Sequence, residues 1–563
     1  MFRKAAVTAL SAFTLTLIVA ACSNNNHDAS SGESTSPQDA LTTATPIKHL
    51  VVIYGENISF DHYFATYPNA TNPDGETSFT AASGTPTDIN TLEYANLLTS
   101  NPNSTNTANG DGAADPFRLD VTQAATADQN HAYTPEEEAA DNGAMDLFPL
   151  YTGRGTSGGS GAFGTTGQVM GYYDGNTVTA LWNLAQGFSM SDNAFSDTYG
   201  PSTPGALEAI AGQTNGVTID ADGSGTGVPS SHLIDDGQGG YTLIGDIDPT
   251  GDVCSSSTSG TISMQGKNIG DLLNDAGITW GSFMGGFDLT TQNDNATTGC
   301  SRSTYSDTVS ETVTDYIPHH AWFQYYASTL NADHTRPSST DRIGYSTEAD
   351  GTTAEPANHE YDVNDFYTAV KAGNFPSVAY LKAPAYQDAH AGYSDPVDEQ
   401  AFVAKVVNFI EQQPDWSSTA IIVAYDDSDG WYDHSYAAPT HASYSADADA
   451  LNGASTCGSG TQPNGVNGEP VNGRCGPGTR IPFLVISPWA RVNYVGHTQI
   501  TQASIVKFIE DNWLGGERIG GGSFDSTTGD IEGLFDFSGS GDAAKVWLDP
   551  STGAVLDAAP SSD

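Results

Sequence analysis

Residues 47–57 read Ile47-Lys48-His49-Leu50-Val51-Val52-Ile53-Tyr54-Gly55-Glu56-Asn57. From His49 to Tyr54 the run is apolar without alternation, the pattern of a strand covered on both faces of a sheet. Val378-Ala379-Tyr380-Leu381, Ala420-Ile421-Ile422-Val423-Ala424-Tyr425 and Pro482-Phe483-Leu484-Val485-Ile486 repeat it. Between the second and third runs, Phe402, Val406, Phe409 and Ile410 recur at helical spacing. Residues 378–425 therefore read as strand, helix, strand, a unit that favours a parallel sheet. A further helix is expected over Ala503 to Trp513. The segments 85–130, 152–168, 217–262, 437–480 and 515–541 are rich in Gly, Ser, Thr, Asn and Asp and read as long loop insertions. The expected fold class is α/β.

The chain has 563 residues, with 18 Lys or Arg against 68 Asp or Glu, a formal charge of −50 at pH 7. Such a surface cannot release counterions from a polynucleotide and is repelled by acidic headgroups, which excludes nucleic acid and electrostatic membrane binding. Hydrophobic residues at 37% and aromatics at 10% place that charge on a folded body. Arg3 and Lys4 precede an apolar run from Ala5 to Val19 and then Ala20-Ala21-Cys22, so residues 1–22 resemble a lipoprotein signal ending at a lipobox, with an ordinary secretory signal as the alternative. Residues 23–45 are polar and aperiodic and read as a flexible linker, leaving 46–563 as the folded part, a length that three domains or one large domain can fill and that is taken as a single domain. The expectation is an exported protein, periplasmic or on the outer membrane, touching lipid only through Cys22, or else secreted. The other cysteines, Cys254, Cys300, Cys457 and Cys475, lack zinc spacing, and export favours two disulfides. Three pairings are open, with the nearest neighbours 254–300 and 457–475 favoured.

Chemistry is expected where polar residues end the apolar strands, since open α/β sheets present ligands at their carboxyl ends. The first run ends in Gly55-Glu56-Asn57 and the third in Asp426-Asp427, followed by Ser428-Asp429-Gly430-Trp431-Tyr432-Asp433-His434. Adjacent carboxylates leaving a buried strand need protons or a cation between them, although Asp also simply opens turns. In Tyr199-Gly200-Pro201-Ser202-Thr203-Pro204-Gly205-Ala206-Leu207, Thr203 suits an N-cap and Pro204 a first turn. Ser202 would then stand beside a helix N-terminus able to hold an anion, where a metal can activate its hydroxyl. His131, His319, His320 and His390 are the candidate suppliers of positive charge and of a leaving-group proton.

These residues carry a resemblance. The stretch from Ile47 through Ile58-Ser59-Phe60-Asp61-His62-Tyr63-Phe64 resembles the opening signature of the bacterial phosphoesterase family that holds phosphatidylcholine-type phospholipases C and exported acid phosphatases. Gly200-Pro201-Ser202 with Pro204, Asp388 to Asp395, Tyr425 to His434, and Arg480 to Arg491 resemble its later blocks in order. The resemblance implies a sheet like that of alkaline phosphatase and sulfatase, with helices on both faces. It implies that Glu56, Asn57, Asp426, Asp427 and Ser202 hold one divalent metal ion, with Mg, Ca or Mn favoured over Zn by the all-oxygen set. It further implies Ser202 as nucleophile and His131, His319, His320 and His390, with Asn57, around the phosphate.

Ala206 stands where a sulfatase turn carries Arg, which argues against a sulfatase. The phospholipase C branch typically pairs a Thr nucleophile with Pro-Asn-Arg, so Ser202 to Leu207, together with the segments around His131, His319 and His390, favours an acid phosphatase acting on small phosphate monoesters through a phosphoserine. Phospholipase C activity is the alternative, and a non-catalytic surface lipoprotein the rival from another class. If phosphate binds in this pocket, the acidity is expected on the insertions and outer surface, with Glu56, Asp426 and Asp427 the few carboxylates used inside.

Overall fold

The computed structural model describes residues 36–220, 231–256, 260–541 and 544–561. The signal, Cys22 and most of the linker lie outside the described residues. An eight-stranded sheet forms the centre: β1 His49–Gly55, β2 Ser189–Ser191, β3 Trp280–Met284, β4 Glu360–Asp362, β5 Val378–Lys382, β6 Thr419–Tyr425, β7 Phe483–Ile486 and β8 Tyr494–Gly496. Their spatial order is β4-β3-β5-β1-β6-β7-β2-β8. All run parallel except β7, which pairs antiparallel with both β6 and β2. Among the described residues, the helices of eight or more residues are α1 Tyr133–Ala140, α2 Thr179–Gly187, α3 Ser202–Ala211, α4 Ile269–Ala276, α5 Val363–Lys371, α6 Pro396–Glu411 and α7 Ala503–Trp513.

The four strands and two helices expected from apolar runs all form, and β1 lies at the centre. The unit from β5 through α6 to β6 is parallel as expected, but its strands are not neighbours, because β1 pairs with both and separates them. Successive strand side chains face opposite ways. Tyr54 of β1 and Tyr380 of β5 share a face and donate to the α3 carbonyls of Gly205 and Ala209, at 2.9 and 3.1 Å. Tyr425 of β6 points the other way, onto Glu399 of α6. Helices thus cover both faces, which is why β1 and β6 are buried along their whole length.

Three expectations need correction. The linker does not extend to residue 45: from Ser36 on the chain packs on the body, with the Ser36 amide on Asp415 Oδ1 at 2.5 Å and the Thr45 amide on Asn512 Oδ1 at 2.9 Å. The insertions are not bare loops. Leu92, Ile234, Ile244, Leu451, Cys457 and Cys475, all within these segments, join Tyr133, Phe148, Tyr199 and Trp431 in a second core beside the main one. Nor are the inner carboxylates few: more than twenty Asp and Glu side chains are buried, and several of them, such as Asp362 and Asp395 at helix starts, accept from backbone amides that would otherwise lack an acceptor. Both disulfides form in the favoured pairing, Cys254–Cys300 and Cys457–Cys475, with Cα separations of 5.3 and 5.8 Å. Among the described residues no helix is long and apolar enough to cross a membrane.

Candidate active site

The register of β1 on β6 places Gly55 beside Tyr425, so Glu56-Asn57 and Asp426-Asp427 leave the sheet side by side. Asn57 takes a left-handed backbone, φ 63°, which Asn tolerates better than most residues. That turn points its amide at Asp426 Oδ1, 2.8 Å away, and leaves its side chain facing the nucleophile turn. Ser202 Oγ lies 3.2 Å from both Asn57 Oδ1 and Asp427 Oδ2 and is 1% exposed.

α3 begins at Ser202 itself, with Pro201 as its N-cap, two residues earlier than an N-cap at Thr203 would set it. The anion at this helix start belongs to the chain: Asp246 Oδ1 accepts from both the amide and the hydroxyl of Thr203 at 2.9 Å. Gly205 sits so close under the Asp426 carbonyl that a Cβ there would overlap it. This contact fixes the height of Ser202 against the end of β6. Glu136 of α1 ties the two arms together, accepting from the Gly200 amide at 2.9 Å and from Ser428 Oγ at 2.6 Å.

The four histidines surround this group. His131 Nδ1 lies 3.0 Å from Asp429 Oδ1, and His131 Nε2 lies 3.4 Å from Asn57 Nδ2. Burial alone would lower the His131 pKa, but Asp427 and Asp429 outweigh it and hold the ring well above the usual range. His390, whose ring centroid is 5.9 Å from that of His131, is lowered by burial. The two rings are thereby pushed apart in proton affinity. His320 Nδ1 lies 3.3 Å from Glu56 Oε1 and 3.8 Å from Asp388 Oδ2, and burial with the charges of His319 and Lys382 keeps it neutral. His319 is partly open, its side chain 31% exposed, 3.7 Å from Asp248.

The sequence reading missed Lys382. This last residue of β5 is 2% exposed and pairs with Glu56 Oε1, with Asp426 Oδ2 at 4.0 Å. It also gave no role to Asp429, which orients His131, or to Glu136. Asp429 lay in a run already singled out; Lys382 and Glu136 had no local signal, since their partners are far away in sequence.

Two carboxylate oxygens of the group, Glu56 Oε2 and Asp426 Oδ2, are buried without a hydrogen-bond partner. With the Ser202 hydroxyl and the Asn57 amide oxygen beside them, this donor set suits a hard divalent cation. The ligand atoms do not converge on one point: among the described residues, the set near the site whose His and carboxylate atoms all fall within 4.8 Å of one another is Asp128, His131 and His390. The orphaned oxygens and the all-oxygen chemistry nevertheless fit the expected ion.

The phosphoesterase family model matches residues 47–514, and the chain belongs to that family. A hemolytic phospholipase C of Pseudomonas aeruginosa is 22% identical over 510 residues, 90% of this chain and 58% of that protein. Phospholipase C B of Mycobacterium tuberculosis is 23% identical over 90% of this chain and 80% of its own length. A non-hemolytic phospholipase C of Burkholderia pseudomallei is 33% identical over 143 residues, 25% of this chain and 19% of that protein. The chain thus spans between a fifth and three fifths of the length of the Pseudomonas and Burkholderia relatives.

Proposed function

We propose that this member of the phosphoesterase family hydrolyses phosphate esters, with Ser202 as the nucleophile. The observation that carries the reading is the buried Ser202 hydroxyl held at 3.2 Å by both Asn57 Oδ1 and Asp427 Oδ2, at the joined ends of β1 and β6. Glu56, Asn57, Asp426, Asp427 and Ser202 Oγ would hold one divalent ion, with Mg, Ca or Mn favoured over Zn; when bound, it lowers the pKa of the hydroxyl and offsets phosphoryl charge.

Ser202 Oγ passes its proton to Asp427 Oδ2, 3.2 Å away, and forms its bond to phosphorus as the bond to the departing alcohol breaks. Protonated His131, held by Asp429, gives its proton to that alcohol. Water then attacks that phosphorus and displaces Ser202 Oγ, which recovers its proton from Asp427 while the water's proton goes to His131; Asn57 Nδ2 and the open His319 face the phosphoryl oxygens. Neutral His320 and His390 serve as hydrogen-bonding walls. The separation in proton affinity between His131 and His390 supports giving the acid role to His131.

For the substrate, the name phospholipase C on relatives aligned over 90% of the chain favours a phosphodiester of the phosphatidylcholine type. The acid phosphatase reading drawn from the sequence is the second, supported by the Ser202-Thr203-Pro204-Gly205-Ala206-Leu207 turn. The two disulfides suit a protein exported to an oxidising compartment.

A chromogenic phosphate monoester, its choline diester and a sulfate ester, each assayed with and without chelator over pH 4–8, separate the readings. The diester is expected to be the best substrate, with Ser202→Ala inactive on it while keeping the wild-type melting temperature. Turnover by Ser202→Ala at the wild-type rate refutes the nucleophile; hydrolysis of the monoester alone returns the acid phosphatase reading.

A further inference from the structure

We propose that Lys382 is a built-in cation of the metal cradle, holding Glu56 and Asp426 together when no divalent ion is bound and opposing the entry of that ion by its own charge. The inference rests on the metal reading above and adds to it how tightly the site binds. Lys382 Nζ pairs with Glu56 Oε1 and lies 4.0 Å from Asp426 Oδ2. It is the one Lys or Arg that pairs with any of the proposed ligands among the described residues. Its ammonium is enclosed: Lys382 is 2% exposed, and the ring centroids of Tyr54 and Trp322 lie 5.6 and 5.9 Å from Nζ. It therefore cannot swing to solvent as a surface lysine would.

A buried ammonium between two carboxylates is a costly arrangement that breaks badly when one partner is removed. Its position explains how Glu56 and Asp426, both buried, fold next to one another before any metal arrives. The pairing is incomplete: Glu56 Oε2 has no hydrogen-bond partner, and neither has Asp426 Oδ2, which at 4.0 Å is beyond hydrogen-bond reach of the lysine, so the cradle keeps two oxygens for a second cation. A divalent ion arriving there meets a positive charge a few ångströms away in a low dielectric, which weakens its binding. Such an ion exchanges readily and is removed by mild chelation.

Lys382→Met keeps the stem and removes the charge. Its melting temperature and that of the wild type are followed against Mn²⁺, from chelated protein upward, with Mn²⁺ affinity measured separately by calorimetry. The variant is expected to melt lower than wild type in chelator, to recover as Mn²⁺ is added, and to bind Mn²⁺ at least tenfold tighter. Should Lys382→Met not fold without metal, Glu56→Gln/Lys382→Met, which removes both members of the pair, is expected to fold in chelator and to bind Mn²⁺ more weakly than wild type. Equal loss of stability with and without Mn²⁺, at unchanged affinity, makes the lysine purely structural and overturns the proposal. If Mn²⁺ neither binds nor shifts the wild type, the metal reading itself fails, and this outcome is distinct from the other.

Discussion

Glu399→Gln is a test of how this fold handles its acidity. Glu399 lies on α6, buried against the sheet, and accepts from the hydroxyls of Tyr63, at 2.8 Å, and Tyr425. Burial pushes its carboxyl from an ordinary 4.5 up to about 7, against the smaller opposite effect of the two tyrosines. The folded chain therefore holds this proton more tightly than the unfolded one. The stability this confers is complete below about pH 4.5 and is lost as pH rises through 7. Between pH 5 and pH 8 the loss amounts to about 2–3 kcal/mol, at 1.36 kcal/mol per pKa unit. Gln reproduces the protonated acid, accepting from one hydroxyl and donating to the other, and cannot ionise. Paired urea unfolding of wild type and variant at pH 5, 6, 7 and 8, followed by tryptophan fluorescence, reads the difference. At pH 5 the two should be within about 1 kcal/mol, the size of one hydrogen bond. At pH 8 the variant should have gained about 2–3 kcal/mol on the wild type. A difference that stays constant across this range refutes the reasoning.

Asp429→Asn removes the carboxylate that holds His131, so kcat should fall by about 10²- to 10⁴-fold and the alkaline limb of the pH–rate profile should move to lower pH. Gly205→Ala forces a methyl group against the Asp426 carbonyl, and thermal unfolding should show a loss of about 1–3 kcal/mol together with a fall in kcat as Ser202 is displaced. Cys457→Ser/Cys475→Ser opens a loop with a sequence separation of 18, for which chain entropy predicts about 3 kcal/mol of destabilisation, measurable in the same denaturation assay.

The parts of the fold that could be read from sequence are those whose burial is written locally. β1, β5, β6 and β7 are apolar runs, and α6 and α7 carry helical periodicity, so each announces itself. β2 reads Ser189-Met190-Ser191 and β4 reads Glu360-Tyr361-Asp362; both are three residues long and polar at each end, and only their neighbours bury them. β3 has Gly281 and Ser282 inside it, which weakens the pattern. The same divide runs through the site. Glu56, Asn57, Asp426 and Asp427 stand at the ends of visible strands, and Ser202 stands in a turn of recognisable composition. Lys382 ends a visible strand too, but a lysine there reads as the chain leaving for solvent, because its partner Glu56 is 326 positions away. Asp246, which fills the start of α3, sits in an insertion with no local signal.

The same long-range pairing changes what the net charge means. A count of −50 treats every carboxylate as ionised at pH 7. Burial, however, pushes Glu136, Asp395, Glu399 and Glu411 up to about 7 and Glu208 and Glu510 to about 8, so the folded chain carries part of its acidity as protons. A second set is held in the opposite direction. Despite the cost of burial, Asp61 is lowered by His434 and Arg480, and Asp429 by His131 and His390. The first set stabilises the fold below neutrality and ceases to do so as pH rises through 7–8; the second stabilises it above about pH 4 and fails as acid protonates it. Stability should therefore peak on the acid side of neutrality, between the two sets. Added salt, which screens the exposed coat and barely reaches these buried groups, should leave that peak in place.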